Sequence, residues 1–226
     1  MSSRKDGANT KKHLLKVAEA VFAEKGYHNT TIADICARAK TNVASINYHF
    51  GSKESLYAQV WRDAFEEALR VYPPTGNLPP DAHAPDRLHA LIRSLLHRIL
   101  DEGKLGHAGK LLLQEMFHPT PAINQVRHDA IRPLFERTRQ IIRELLGPNP
   151  SQQQLHFCLM SIMHQCLAIG FRKAKLPPFF KNLPKTPELI EALVDHITRF
   201  SLAGIAAVRN EQDSSLSHTA SSGENS

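Results

Sequence analysis

The sequence predicts an all-α protein of about nine helices, and three observations carry that prediction. Strong helix formers (Leu, Ala, Glu, Lys, Arg and Gln) make up nearly half of the 226-residue chain, while aromatics are only 7% and β-branched runs are scarce. Apolar residues recur every three or four positions, with no alternating strand pattern and no internal repeat. Glycines and prolines fall in clusters that start and stop these periodic segments.

Residues 1–9 are small, polar and charged, a composition that predicts disorder. A helix is predicted over 10–25, because Leu14, Leu15, Ala18, Val21 and Phe22 form one stripe; Gly26 ends it. Thr31 then caps a short helix over 32–39, with Asp34 placed to reach back to the cap. A second short helix covers 42–49, and Gly51-Ser52 breaks the chain again. Ser52 caps a longer helix reaching 72, with Glu54 in its first turn, where the helix dipole favours an acid.

Five prolines between 73 and 85 mark a boundary loop. Helices follow over 85–102 and up to Phe117, with Gly103, Gly106 and Gly109 between them. Pro119 and Pro121 open a long segment to Leu146, which Pro133 must kink or divide. Gly147-Pro148 stops it, and helices over 151–174 and 187–209 flank a Pro-rich loop at 177–187. The Ser-rich remainder from 210 predicts a disordered tail. The expected organisation is a disordered 1–9, a small helical module over 10–55, a helical body over 56–209 and a tail over 210–226.

Charge is unevenly spread. Up to Lys53, nine Lys or Arg face four acids, so five of the six net positive charges lie in the first quarter of the chain. A basic module on a near-neutral body implies a polyanionic partner. Three cysteines without framework spacing (Cys36, Cys158, Cys166) fit a reducing compartment. With no apolar run of about 20 residues and no signal-like core, the expectation is a cytoplasmic protein without membrane attachment.

The segment 31–50 holds the chemistry. Ile32, Ile35 and Cys36 give the first short helix an apolar face, and Val43, Ile46 and Phe50 give one to the second. The opposite face of the second carries Asn42, Ser45, Asn47, Tyr48 and His49, hydrogen-bonding side chains on a short helix presented by two others. That is the arrangement of a recognition helix entering a major groove.

These residues resemble a known family. The run from Gly26 to Tyr57 (an aromatic after Gly26, Thr30-Thr31-Ile32, Ala37 and Ala39 read as buried, Tyr48-His49-Phe50, and Ser52-Lys53-Glu54 before Leu56-Tyr57) is similar to the DNA-binding domain of TetR-type regulators. The form Asn42 to Glu54 resembles the CecR-like branch in particular, as does the stretch 111–123 with Ile131-Arg132-Pro133-Leu134. The likeness is specific over about 10–65 and architectural beyond. It implies phosphate contacts from Thr31, Tyr48, His49 and Lys53, and base contacts among Asn42, Ala44, Ser45 and Asn47. Lys40 stands where the family usually has glycine, and is read as a side chain facing phosphate. The resemblance also implies a repressor that leaves its operator when a small-molecule effector binds the helical body.

That body is apolar enough to need a cover. The helix over 151–174 is apolar nearly all round, and that over 187–209 carries a long apolar stripe. The expected cover is a second copy, through Leu159, Met163, Cys166, Leu193, Ile197 and Phe200, so that a homodimer meets a pseudo-palindromic double-stranded operator. Glu115, Phe117, Phe135, Phe157, Met160 and His164 are the candidate effector-pocket residues. No cofactor or metal is expected: His156/Cys158 and His164/Cys166 are i, i+2 pairs, which point to different sides of a helix. The chain also lacks GxSxG, HExxH, GxGxxG and a phosphate loop, which argues against an enzyme. An architectural DNA binder with no effector is the other alternative.

Overall fold

The computed structural model describes residues 2–100, 103, 105–169 and 186–222. Among them are nine α-helices and no strand: α1 (Ser2–Asn29), α2 (Ile32–Ala39), α3 (Val43–Phe50), α4 (Lys53–Val71), α5 (Ala84–Leu100), α6 (Gly106–Phe117), α7 (Arg132–Leu146), α8 (Gln152–Ala168) and α9 (Pro187–Ser222). A 3-10 turn (Pro121–Ile123), one α-turn (Asn124–Val126) and a π-turn (Arg127–Ile131) lead into α7. The π-turn has a local cause. Pro133 has no N–H for the carbonyl one turn back, and the backbone widens just before it.

Two ends differ from expectation. α1 starts at Ser2 instead of at residue 10, and α9 continues to Ser222 across the stretch expected to be a disordered tail. Once a helix is nucleated by its packed portion, polar residues extend it into solvent at little cost. Gly26 breaks α1 as predicted, at φ 77 and ψ 165. The expected helical run to 174 and most of the 177–187 loop lie outside the described residues.

The chain folds as two compact units, Met1–Val71 with Arg98–Arg132, and Tyr72–His97 with Pro133–Ser226. The expected boundary after residue 55 does not coincide with this division, because α4 packs along its whole length on α1 and α6. Its buried face is Leu56, Tyr57, Val60, Trp61, Ala64, Phe65 and Ala68. Trp61 stacks on Phe65 at 4.9 Å and donates its indole N–H to the Leu111 carbonyl at 3.4 Å. Gly109 in α6 is required by a close approach, since a Cβ there would lie 2.7 Å from the Arg98 carbonyl oxygen.

A buried carboxylate closes the first unit. Glu115 of α6 accepts from the Tyr57 hydroxyl (2.8 Å), the Thr120 hydroxyl (2.7 Å), the Thr120 N–H (2.9 Å) and the Arg127 guanidinium (2.7 Å). Burial, and then the Glu115 charge, push the Tyr57 phenol far above its ordinary range, so it remains a donor.

The second unit has its own core. Ile190, Val194, Ile197 and Ile205 bury one stripe of α9, and Leu155, Cys158, Ile162 and Cys166 bury one stripe of α8. At the start of α9, Glu191 meets Arg93 through both carboxylate oxygens at 2.9 Å, and His97 at 2.9 Å. The Arg93 hydrogen bond does most to lower the Glu191 carboxyl, to about 2. No described helix is long and apolar enough to cross a membrane.

Replacing Glu115 by Ala strands a guanidinium, a phenol and a hydroxyl that now share it. The expected loss is about 3 kcal/mol or more, a drop in Tm of roughly 6–12 °C for a chain of this size. A thermal melt within a degree or two of wild type refutes this account of the core.

Candidate nucleic-acid interface

Three helices present the site. α1 and α4 pack on α2 and α3 through Leu14, Ala18, Phe22, Ile35, Cys36, Ile46 and Leu56, all buried. Pairs from Lys25 to Asp34 (2.7 Å) and from Arg38 to Glu24 (2.5 Å) tie α2 to α1. At eight residues each, α2 and α3 are too short to persist alone, so caps and this packing hold them.

The caps are complete. The Thr31 hydroxyl accepts from the Asp34 N–H at 3.1 Å, and Asp34 accepts from the Thr31 N–H at 2.8 Å, the capping box the sequence predicts. α2 ends at Lys40 in the left-handed region, at φ 51 and ψ 48, with the Thr41 N–H on the Cys36 carbonyl and the Lys40 N–H on that of Ala37. Asn42 caps α3, its side-chain oxygen accepting from the Ser45 N–H at 2.9 Å.

What α3 exposes is a coherent surface. Ala44, Asn47 and Tyr48 face solvent, Tyr48 at 86% exposure, and Val43 stands beside them at 48%. Val43 was expected on the core face, and Ala37 was expected to be buried; both are exposed. Only Ile46 of the predicted trio is fully buried, and Phe50 is half-buried. An apolar side chain at the start of a recognition helix suits the thymine methyl group, and hydrophobic spacing alone misassigned it.

At the start of α4, the Lys53 ammonium sits 4.4 Å from the centre of the Tyr27 ring. The Tyr27 hydroxyl donates to Glu54 at 2.7 Å. The Asn47 amide and Tyr48 hydroxyl on an exposed helix face, with a lysine opening the next helix, are chemistry for base edges and phosphates.

A model of the DNA-binding domain of bacterial regulatory proteins of the tetR family matches residues 14–60. A model of the C-terminal domain of the HTH-type transcriptional dual regulator CecR matches residues 84–205. The chain belongs to the TetR family of transcriptional regulators, in the CecR-like branch. It is 31% identical to the dual regulator CecR of Shigella flexneri over 177 residues, 74% of this chain and 78% of that protein. Its fold is similar to that of a TetR-like regulator from Rhodococcus sp. RHA1 (TM-score 0.65, 17% identity, 87% of this chain and 96% of that one). It is also similar to a transcriptional regulator from Saccharomonospora viridis solved in complex with choline (TM-score 0.63, 21% identity, 85% and 95%). Family membership makes this TetR-type chain a DNA-binding regulator and not an enzyme.

In this TetR-family regulator, the residues expected to touch DNA flank α2 (Thr31 and Lys40), cap or lie on α3 (Asn42, Ala44, Ser45, Asn47, Tyr48 and His49) and open α4 (Lys53). Lys40, Asn42, Ala44, Asn47 and Tyr48 are exposed, while Ser45, His49 and Lys53 are half-buried. Thr31 is exposed, but its hydroxyl already donates to Asp34 at 2.7 Å, so its first role is the cap.

The expected effector residues divide between the two units. Glu115 lies in the first unit with its carboxylate saturated, and the side chain of Phe117 lies outside the described ones. Phe135, Phe157, Met160 and His164 lie in the second unit, all exposed. Periodicity finds apolar positions but does not say which face a helix turns inward. The expected dimer residues divide for the same reason. Phe200 is 62% exposed and Leu159, Met163 and Leu193 are half-buried, but Cys166 (0%) and Ile197 (3%) are core of their own chain and cannot meet a partner. The sequence reading also passed over Thr198 and Ser201, buried hydroxyls without a hydrogen-bond partner among the described residues. Within the described residues no group of three His, Cys, Asp or Glu could hold a metal.

Lys40 sits in a conformation that costs a side chain about 1–2 kcal/mol and glycine almost nothing. Lys40→Gly is therefore expected to stabilise the fold by up to about 1 kcal/mol, less than the relieved strain because glycine also loosens the unfolded chain. Lys40→Ile should destabilise it by about as much or more. Thermal melts of the two variants check this, and a lower Tm for the glycine variant contradicts it.

Proposed function

We propose that this regulator is a homodimeric repressor of the cytoplasm that binds a pseudo-palindromic operator and releases it when a small-molecule effector enters its second unit. The observation that carries the DNA reading is the exposed face of α3, Val43, Ala44, Asn47 and Tyr48, bordered by Lys53. Asn47 ends in an amide able to pair with a base edge, whereas Lys53 is a point charge at a helix start, suited to phosphate.

The dimer reading rests on Phe157 and Met160 of α8 and Phe200 of α9, exposed on two helices that pack against each other. Large apolar side chains left exposed call for a cover, and a four-helix arrangement of two copies supplies it. The effector reading is supported by family membership and by the unpartnered hydroxyls of Thr198 and Ser201, to which a polar ligand group can bond. The chain passes between units at Val71–Tyr72, the end of α4, which makes α4 the element able to link the two events. Each ligand then weakens the other's binding by the same factor. A cytoplasmic site of action fits three thiols that are all free.

Asn47→Ala is expected to cost about 1–3 kcal/mol on a duplex enriched by the protein from a random pool, and little on a scrambled one. Lys53→Ala should weaken both alike and lower the salt slope by about 1 for each phosphate no longer neutralised, roughly 2 for the dimer. Gel-shift titrations across a salt series check this, and the opposite assignment of effects overturns it.

Phe200→Asp should leave the chain helical and folded and shift sedimentation at micromolar concentration from dimer to monomer. A wild-type protein that sediments as a monomer rules the dimer out.

A further inference from the structure

We propose that Tyr27 is a positioning residue for DNA binding, its ring fixing the Lys53 ammonium where α4 meets a phosphate, a role that rests on the operator-binding reading above. The start of a helix carries positive partial charge, so a lysine at the first position of α4 is at the wrong end of the dipole. Two features offset this. The ammonium lies 4.4 Å from the centre of the Tyr27 ring, on whose face the quadrupole is negative. Glu54, next in α4, is held by the Tyr27 hydroxyl at 2.7 Å.

The ring is itself anchored. It lies 4.8 Å from Tyr57 and 6.4 Å from Phe22, both buried. Tyr57 in turn donates to Glu115. Burial first, and then the Glu54 hydrogen bond, raise the Tyr27 phenol to about 12, so it keeps its proton and donates at any ordinary pH. A four-carbon lysine stem in water samples many rotamers, and giving them up on binding weakens the interaction with phosphate. A ring fixed by Tyr57 and Phe22 narrows those rotamers before DNA arrives. A locally unfavourable lysine held by a dedicated platform is what a preorganised phosphate contact requires.

The test is a double-mutant cycle on the full-length protein, read as affinity for a duplex enriched from a random-sequence pool. Tyr27→Leu should weaken binding by about two- to fivefold per protomer, the size of an exposed cation–π contact. Tyr27→Phe, which keeps the ring, should bind within about twofold of wild type. In a Lys53→Ala background, Tyr27→Leu should have no further effect. A loss of the same size in both backgrounds makes Tyr27 merely structural and overturns the assignment, and so does a Phe variant as weak as the Leu variant.

A second measurement does not depend on either variant folding. The Lys53 ε-methylene protons should show an upfield ring-current shift in the wild-type NMR spectrum, and an unshifted signal also overturns the assignment. If no duplex is enriched at all, the operator-binding reading itself fails, an outcome separate from any of these.

Discussion

Glu115 has almost no access to water, yet it receives hydrogen bonds from α4, from the loop after α6 and from the π-turn that leads into α7. A carboxylate in that setting is tolerable only while all its partners are in place. It therefore sets the register of α4 against α6, and α4 in turn supports α1 and the two short helices. The same constraint explains why the first unit recruits residues 98–132, far along the chain from the DNA-binding segment. α4 is apolar along one full face, and α6 with the turns after it supply what that face must pack on.

The recognition surface shows a division of labour between backbone and side chains. Thr31, Asn42 and Ser52 use their oxygens on backbone N–H groups at helix starts. Those bonds fix where α2, α3 and α4 begin. The residues left to face outward, Val43, Ala44, Asn47 and Tyr48, are then displayed by an element whose ends are already satisfied. Lys40 is the exception, a side chain in a left-handed turn that glycine would occupy more comfortably.

In the second unit, α8 and α9 are each apolar on more than one face, but only one stripe of each is used within the chain. What remains outside includes Phe157, Met160 and Phe200, side chains too large to be left in water without cause. The Arg93 ion pair and the His97 hydrogen bond on Glu191, at the start of α9, fix its rotation relative to α5 and so decide which face stays outward.

The helical class, most helix starts and stops in the described residues, the capping box at Thr31 and the order of short helices in the DNA-binding segment were legible in the sequence, because they depend on neighbours three or four positions away. Gly26 and Pro133 act through the backbone next to them, and local chemistry is enough to read them. Rotation about a helix axis was not legible. Val43 looked like core and is exposed, while Cys166 and Ile197 looked like an interface and are buried. Tyr27 over Lys53 and Glu115 under Tyr57 join residues 26 and 58 positions apart, and only the packed tertiary structure decides which such side chains meet. An amphipathic pattern states that a helix has an inside, but the partner that covers it is set by the volume, charge and hydrogen-bonding needs of distant segments.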